Sequence, residues 1–466
     1  LELEYESTRA SWDEKFQRQF GERVAELEAR EERLARQERE MEERLRHLIE
    51  TYRDSSREFS EHIFAEIPIL QRLGMLSFGA AERSGSQPAE ERGARPVAPI
   101  EIELPQYLSQ PKPLPASPVE EERFLDHFRA VVDHNGFVFD ADDLANFHVL
   151  VKTGLWTVLA GASGLGKSSL PRLYADALGS SDEFLMVPVR PDWLDDRDVI
   201  GAFNALSGRY EPAPCGLVDR LIVAHEDEKV GRGGIYIICV DEMNLARVEH
   251  YFAQFLSVLE QPEDARYLQL FSRGVLDPGD PYARYRDLKL GQNIRLVGTV
   301  NVDETTHFFS PKVIDRVSIA HFERPDLREG LEEDESFVVD ERPTMEPIHL
   351  DTYLSWVRAP DRSGEAVQVV LKVEEILRRS RLGLGFRVRD RILRYVSSAR
   401  TVLGEERAID FAILQNVLPG LRPTAPRYME LLKDLRTLFP EGRFRRTGQM
   451  LHALEEDSES DFFQLL

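Results

Sequence analysis

The sequence has little that could hold a fold together by covalent or metal cross-links. Cysteine occurs twice in 466 residues, as Cys215 and Cys239. Neither a disulfide framework nor paired zinc-site spacing can be drawn from two such residues, which fits a reducing cytoplasm. No apolar run approaches the ~20 residues that span a bilayer, and the acidic beginning is not a signal peptide. A cytoplasmic protein with no membrane partner is therefore expected. Positive charge is also in deficit: 59 Lys and Arg stand against 83 Asp and Glu, a net charge of −24. Such a surface repels nucleic acid, so DNA contact is left to a local basic patch or a pore. The chain opens on Leu1 rather than Met, and further residues are expected upstream. What is present is ordinary: 42% apolar residues and length for roughly two to four domains.

Along the chain, residues 1–52 are charge-dense and free of proline. Leu27, Leu34, Met41 and Leu48 recur every seven residues, while Glu31 and Glu38 interrupt the second seam position. The pattern predicts an N-terminal coiled coil; the alternative is one long solvated helix laced by i,i+4 charge pairs such as Glu26 with Arg30. Residues 53–119 carry Pro88, Pro96, Pro99, Pro105, Pro111, Pro113, Pro115 and Pro118, and read as a mostly extended linker. Helical periodicity then appears over 120–132 and 141–152. Apolar strands follow at 156–160, 184–187, 235–240 and 294–300, separated by helical stretches. Buried strands alternating with helices predict a three-layer α/β domain over 120–325 with a largely parallel sheet. Beyond an acidic connector, 326–347, helical spacing over 348–445 predicts an all-α lid, and 446–466 reads as a C-terminal tail.

The chemistry starts at Gly161-Ala162-Ser163-Gly164-Leu165-Gly166-Lys167-Ser168. This is a phosphate loop, G-x-x-x-x-G-K-[ST], placed between a strand and a helix that opens at Ser169. Glycines let the backbone N–H groups turn inward around phosphates, and the helix N-terminus adds a favourable dipole. Lys167 is expected to reach the β and γ phosphates, and Ser168 to offer its hydroxyl to Mg²⁺. The strand 235–240 runs into Asp241-Glu242, a Walker-B arrangement: Asp241 beside Ser168 on Mg²⁺, Glu242 activating the attacking water. The strand 294–300 ends in Asn301, a candidate holder of that water or of the γ phosphate; its alternative is a turn-forming strand end. Arg316 follows, either acting on a neighbouring subunit's γ phosphate or engaged in a surface salt bridge.

In that order these elements resemble an AAA+ P-loop module, and more closely the McrB-like group, the motor subunits of modified-cytosine restriction systems and their relatives. The resemblance rests on residues 189–195 (Val-Arg-Pro-Asp-Trp-Leu-Asp), Asp241-Glu242-Met243-Asn244-Leu245-Ala246-Arg247-Val248-Glu249, and Gly298-Thr299-Val300-Asn301-Val302-Asp303-Glu304-Thr305-Thr306. In the lid it rests on Gly385-Phe386-Arg387-Val388 and Leu414–Pro419. It implies that Asn301 is sensor 1, Arg316 the arginine finger and Arg387 the lid's sensor 2, a residue of the nucleotide site. It also implies a homo-oligomeric ring, a hexamer by analogy. The segment 202–210 resembles the helix-2 hairpin that points into the ring pore, and 266–292, with a turn at 277–280, the hairpin before sensor 1; plain surface hairpins are the alternative for both. Relative to the restriction GTPases, Val300 replaces a Met, Glu304 an Asp, and Ala162-Ser163 a Pro-Pro pair. GTP specificity is therefore not carried over, and ATP with Mg²⁺ is the expected substrate pair, GTP the alternative.

No nuclease or methyl-base-reading motif occurs, so a cleaving effector or nuclease partner would be another chain or lie outside this sequence. The expected function is a motor that couples ATP hydrolysis to remodelling or translocation, with DNA in the pore, in defence against foreign DNA. The alternatives are a nucleotide-gated switch that presents the coiled coil to a partner, and a MoxR-like chaperone ATPase.

Overall fold

The apolar runs become strands of one sheet. The structure, a computed structural model, describes residues 102, 104–112, 119–154, 156–204, 208–272, 276, 280–302, 307–322, 343–380, 382–421 and 428–457. The expected coiled coil, the linker before residue 102 and most of the acidic connector lie outside these. The central strands are β1 (Trp156–Gly161), β2 (Leu185–Pro188), β5 (Tyr236–Asp241), β8 (Ile294–Asn301) and β9 (Ser318–Phe322), in the order β2-β5-β8-β1-β9. All four pairings are parallel. Two antiparallel hairpins stand beside the sheet: β3 (Gly201–Asn204) with β4 (Arg209–Pro212), and β6 (Tyr267–Gln269) with β7 (Asp287–Lys289). Both were expected as hairpins; residues 205–207 and 277–279 of their turns lie outside the described residues.

Side-chain alternation divides the sheet between two cores, because successive residues of a strand face opposite ways. Leu159, Ile237, Val297 and Ala320 join one core, together with helices α1 (Glu121–His134), α2 (Ala141–Thr153) and α3 (Leu170–Ala177). Val158, Ala160, Ile238, Val240 and Leu296 join the other, with Val199 and Ile200 of α4 (Arg197–Ile200), α5 (Leu217–Val230), and the short helices α6 (Val248–Tyr251) and α7 (Ala253–Val258). The three expected layers are thus present. The strand β9 escaped the sequence reading, since its five residues follow the turn α8 (Pro311–Ile314) without a glycine or proline to mark its start.

The helical lid comprises α9 (Leu350–Ser355), α10 (Glu365–Arg379), α11 (Phe386–Leu403), α12 (Glu405–Asn416), α13 (Tyr428–Leu438) and α14 (Arg445–Asp457). Its apolar residues are continuous with the core on the α1–α3 face. The expected tail from 446 onward is instead helical to Asp457. Leu451 and Leu454 are buried, and the Asp410 carboxylate of α12 accepts from the backbone N–H of Arg446 and Thr447 at 2.9 and 2.8 Å. That carboxylate satisfies amides at the helix start that have no intrahelical acceptor. The acidic run after Leu454 had masked this apolar spacing.

The end of the expected linker is also held. Arg232 stacks over the Tyr107 ring at 4.7 Å, and Lys112 Nζ donates to Ser180 Oγ at 2.7 Å and pairs with Glu183 at 3.4 Å. Arg232 in turn binds Glu183 and Asp227 at 2.7 and 2.8 Å. Buried charges need such partners, so this stretch is fixed to the core rather than extended in solvent.

Candidate functional site

Parallel pairing brings the separate motifs to one edge. Gly161 of β1 stands opposite Asn301 of β8, and Asp241 of β5 stands opposite Pro188 at the end of β2. The phosphate loop, Asp241-Glu242 and Asn301 therefore meet at the carboxyl edge of the sheet, where open α/β sheets bind ligands.

The loop itself depends on its glycines. Gly166 has φ +78°, and a Cβ there would lie 3.0 Å from Phe137 and 3.1 Å from Phe139. A side chain would thus be strained by backbone and neighbours at once. Lys167 is buried, and its Nζ donates to the Ala162 carbonyl across the loop. Burial holds its ammonium below the ordinary lysine range, while Asp241 and Glu242 pull it back up. Ser168 is half-buried, and Leu170 begins α3 directly beyond Ser169.

The catalytic candidates are tied together by a residue the sequence reading passed over. Thr299 Oγ1 donates to Asp241 Oδ1 at 2.7 Å and accepts from the Glu242 backbone N–H at 2.8 Å. Asn301 Nδ2 donates to Glu242 Oε1 at 3.1 Å. Asn244 Nδ2 donates to the Asn301 carbonyl at 2.9 Å, which joins the two strand ends again. Glu242 has φ 50° and ψ 46°, and is the one non-glycine residue with positive φ among the described residues. Left-handed backbone in a non-glycine residue costs on the order of 1–3 kcal/mol and persists where neighbours over-determine it. Here Thr299 and Asn301 hold the main chain and side chain. The signal for Thr299 was present in the sequence: a hydroxyl within the apolar run that ends β8, two residues before Asn301.

Close packing completes the edge. Met243 inserts under β8 at Gly298, where an added Cβ would meet its Sδ at 2.1 Å. Tyr251 Oη donates to the Met243 carbonyl at 2.7 Å. A carboxylate at Asp241 and a hydroxyl at Ser168 are the hard oxygen donors that Mg²⁺ prefers, and a loop with Gly164 and Gly166 at positive φ directly before α3 suits phosphate. The residues present fit both groups.

The two arginines are elsewhere. Arg316 precedes β9, at the amino edge of the sheet, and β9 alone places ~13 Å of strand between it and the phosphate loop. Its guanidinium pairs with Glu260, and its Nη1 donates to the Lys312 carbonyl. Burial and the neighbouring Arg387 push it below the ordinary arginine range. Arg387 was expected at the nucleotide. Instead its Nη1 lies 3.5 Å from Glu260 and 3.9 Å from Asp315, so it shares an acid with Arg316 and is remote from the phosphate loop of its own chain. The cause is the seating of α11: Arg391 donates to Asn416 Oδ1 at 2.7 Å and to the Asp315 carbonyl at 2.9 Å. The salt-bridge alternative for Arg316 is what a single chain displays.

Residues 157–317 match the AAA domain (dynein-related subfamily), and residues 347–463 match a domain of unknown function (DUF8727). The match covers most of the α/β core, whose five-stranded parallel sheet with helices on both faces is the AAA+ α/β fold. No curated protein matches the chain. Among solved structures it is similar to a putative ATPase from Cytophaga hutchinsonii, at 14% identity over 63% of this chain and 87% of that one, TM-score 0.41. It is also similar to a full-length MCM homolog from Methanopyrus kandleri, at 11% identity over 65% and 61% of the two chains, TM-score 0.36. A third similarity is to Hsp104 of S. cerevisiae in its casein complex, at 14% identity over 56% and 49%, TM-score 0.30.

Proposed function

We propose that this chain is the ATP-hydrolysing subunit of a homo-oligomeric ring, a motor that remodels or translocates a substrate. The observation that carries this reading is the Asp241–Thr299–Glu242–Asn301 network beside the phosphate loop. A scaffold that only bound nucleotide would have no use for a carboxylate held in a costly backbone conformation.

The geometry supports the following roles. Backbone N–H groups of 161–168 and the ammonium of Lys167 hold the phosphates. Ser168 and Asp241 would hold Mg²⁺, which neutralises charge on the phosphoryl oxygens when bound. Glu242 orients the attacking water and accepts its proton, and Asn301 keeps the Glu242 carboxylate turned toward that position. Within one chain Arg316 and Arg387 lie at the opposite edge of the sheet from the phosphate loop, paired with Glu260. In a ring each subunit would present this pair to its neighbour, where Arg316 stabilises the charge of the transition state. The β3–β4 and β6–β7 hairpins would face the pore. The McrB-like resemblance supports a partner effector or nuclease, DNA as the pore substrate and a role in defence. The loop residues Ala162 and Ser163 support ATP over GTP.

The test is steady-state hydrolysis of ATP and GTP over a range of protein concentrations, with Glu242→Gln as the control. ATP turnover per subunit should rise with concentration, and Glu242→Gln should bind nucleotide normally while losing at least ~100-fold in turnover, the scale of a positioned general base. Turnover independent of concentration would overturn the shared site, and a GTP preference would overturn the nucleotide assignment.

A further inference from the structure

At the amino edge of the sheet, opposite the phosphate loop, a cavity of about 300 Å³ lies between core and lid. It is bounded by the end of α2, the turn before β8, and Leu354 and Val357 of the lid. Three arginines from three separate segments line it: Arg266 just before β6, Arg295 in β8 and Arg394 in α11. In a chain of net charge −24, this convergence runs against the overall composition.

The charges inside do not cancel. Lys152 also lines the cavity, but its ammonium is taken by Glu121 and the Ser398 carbonyl. Glu263 is the one acid in the lining; it pairs with Arg394 at 3.4 Å and accepts from Gln292 Nε2 at 2.8 Å. Among the described residues no carboxylate forms an ion pair with Arg266 or Arg295. Arg266 Nε donates to the Gln261 carbonyl at 3.3 Å. Arg295 is 6% exposed, its Nη1 donates to the carbonyls of Gln292 and Ile294, both at 2.7 Å, and its Nε has no partner. Its guanidinium also lies 5.3 Å from the centre of the Tyr353 ring. Burial holds Arg266 below the ordinary arginine range; the Glu263 carboxylate offsets part of this, while Arg394 and Arg295 add to the shift. A buried guanidinium without a counter-charge is costly to maintain, and an anion in the cavity would offset that cost.

We propose that this cavity binds a small phosphate-bearing anion through Arg266, Arg295 and Arg394. A surplus of two positive charges matches the charge of roughly −2 on a phosphate monoester, and the planar guanidinium fork matches phosphate oxygens two at a time. Leu354 and Val357 offer an apolar wall for an organic group attached to the phosphate. Because Arg295 belongs to the sheet and Arg394 to the lid, the ligand would bridge the two. This site is independent of the phosphate loop, and the inference does not depend on the proposed hydrolysis.

Pyrophosphate and AMP, each titrated calorimetrically into the full chain carrying Lys167→Ala, separate this site from the phosphate loop. At least one of them should bind, and Arg266→Gln or Arg394→Gln in the same background should weaken it at least about tenfold, the effect of losing one charge-assisted hydrogen bond. Both arginines are partly exposed, and unchanged thermal unfolding of the ligand-free variants verifies their folding. Raising the salt concentration should weaken binding further. The tighter of the two ligands identifies the source, inorganic polyphosphate or nucleotide. Absence of binding by both, or unchanged affinity in the arginine variants, would overturn the proposal.

Discussion

Replacing Thr299 by Val tests the proposed site more sharply than replacing a catalytic residue. Valine has nearly the same shape as threonine, so the buried position in β8 keeps its packing and loses only the hydroxyl. Two hydrogen bonds go with it: the donation to Asp241 Oδ1 and the acceptance from the Glu242 N–H. The Glu242 amide is left without its acceptor, at a cost of about 1–3 kcal/mol. That is the same size as the ~1–3 kcal/mol needed to keep Glu242 in left-handed backbone. Without Thr299 the strained conformation loses the contact that offsets it, and the carboxylate moves away from Asn301. A loss of about 2.7 kcal/mol in transition-state stabilisation is a factor of ~100 in rate. Turnover of Thr299→Val should therefore fall by roughly that factor, with nucleotide affinity changed little, because the phosphate loop is untouched. Thr299→Ser, which keeps the hydroxyl, should retain most of the activity. The assay is kcat and KM for ATP together with the nucleotide Kd. Full turnover in Thr299→Val would refute the idea that this hydroxyl sets the Glu242 geometry, and so would an equal loss in Thr299→Ser.

Arg316→Ala should leave nucleotide affinity intact and lower turnover by ~10³-fold or more, the range measured for supplied arginine fingers. Mixing it with Lys167→Ala subunits, each inactive alone, should restore part of the activity if the sites are shared; no recovery at any ratio would count against sharing. Stability should depend on pH through His148, which lies between Tyr174 Oη at 2.8 Å and Glu121 Oε1 at 3.0 Å. Burial lowers its pKa from 6.5 to about 4. Between those values the unfolded chain binds a proton that the folded chain does not, so stability falls as pH drops through this window, by on the order of 3 kcal/mol in total. Denaturant titrations of the wild type and His148→Gln at pH 7, 5.5 and 4.5 read this out; a difference between them that stays constant with pH would sink the assignment.

Much of the candidate site could be read along the chain because its parts are local. The phosphate loop follows β1, the acidic pair closes β5 and Asn301 closes β8, and a strand's apolar run is visible without knowledge of its neighbours. The α/β class followed from the same runs. Other features depend on residues far apart in sequence. Thr299 matters only because β5 lies against β8, and Glu260 because α11 brings Arg387 to the turn that carries Arg316. The helix α14 depends on Asp410, more than thirty residues upstream, to hold its first amides. The cavity of arginines draws on segments around 266, 295 and 394, none of which signals an anion site by itself. The chemistry at each strand end was thus determined by local pattern, a matter of backbone geometry and residue type. The choice of partners across the sheet and lid was decided by tertiary packing, because long-range pairing of charges and amides leaves no periodic trace in a single sequence.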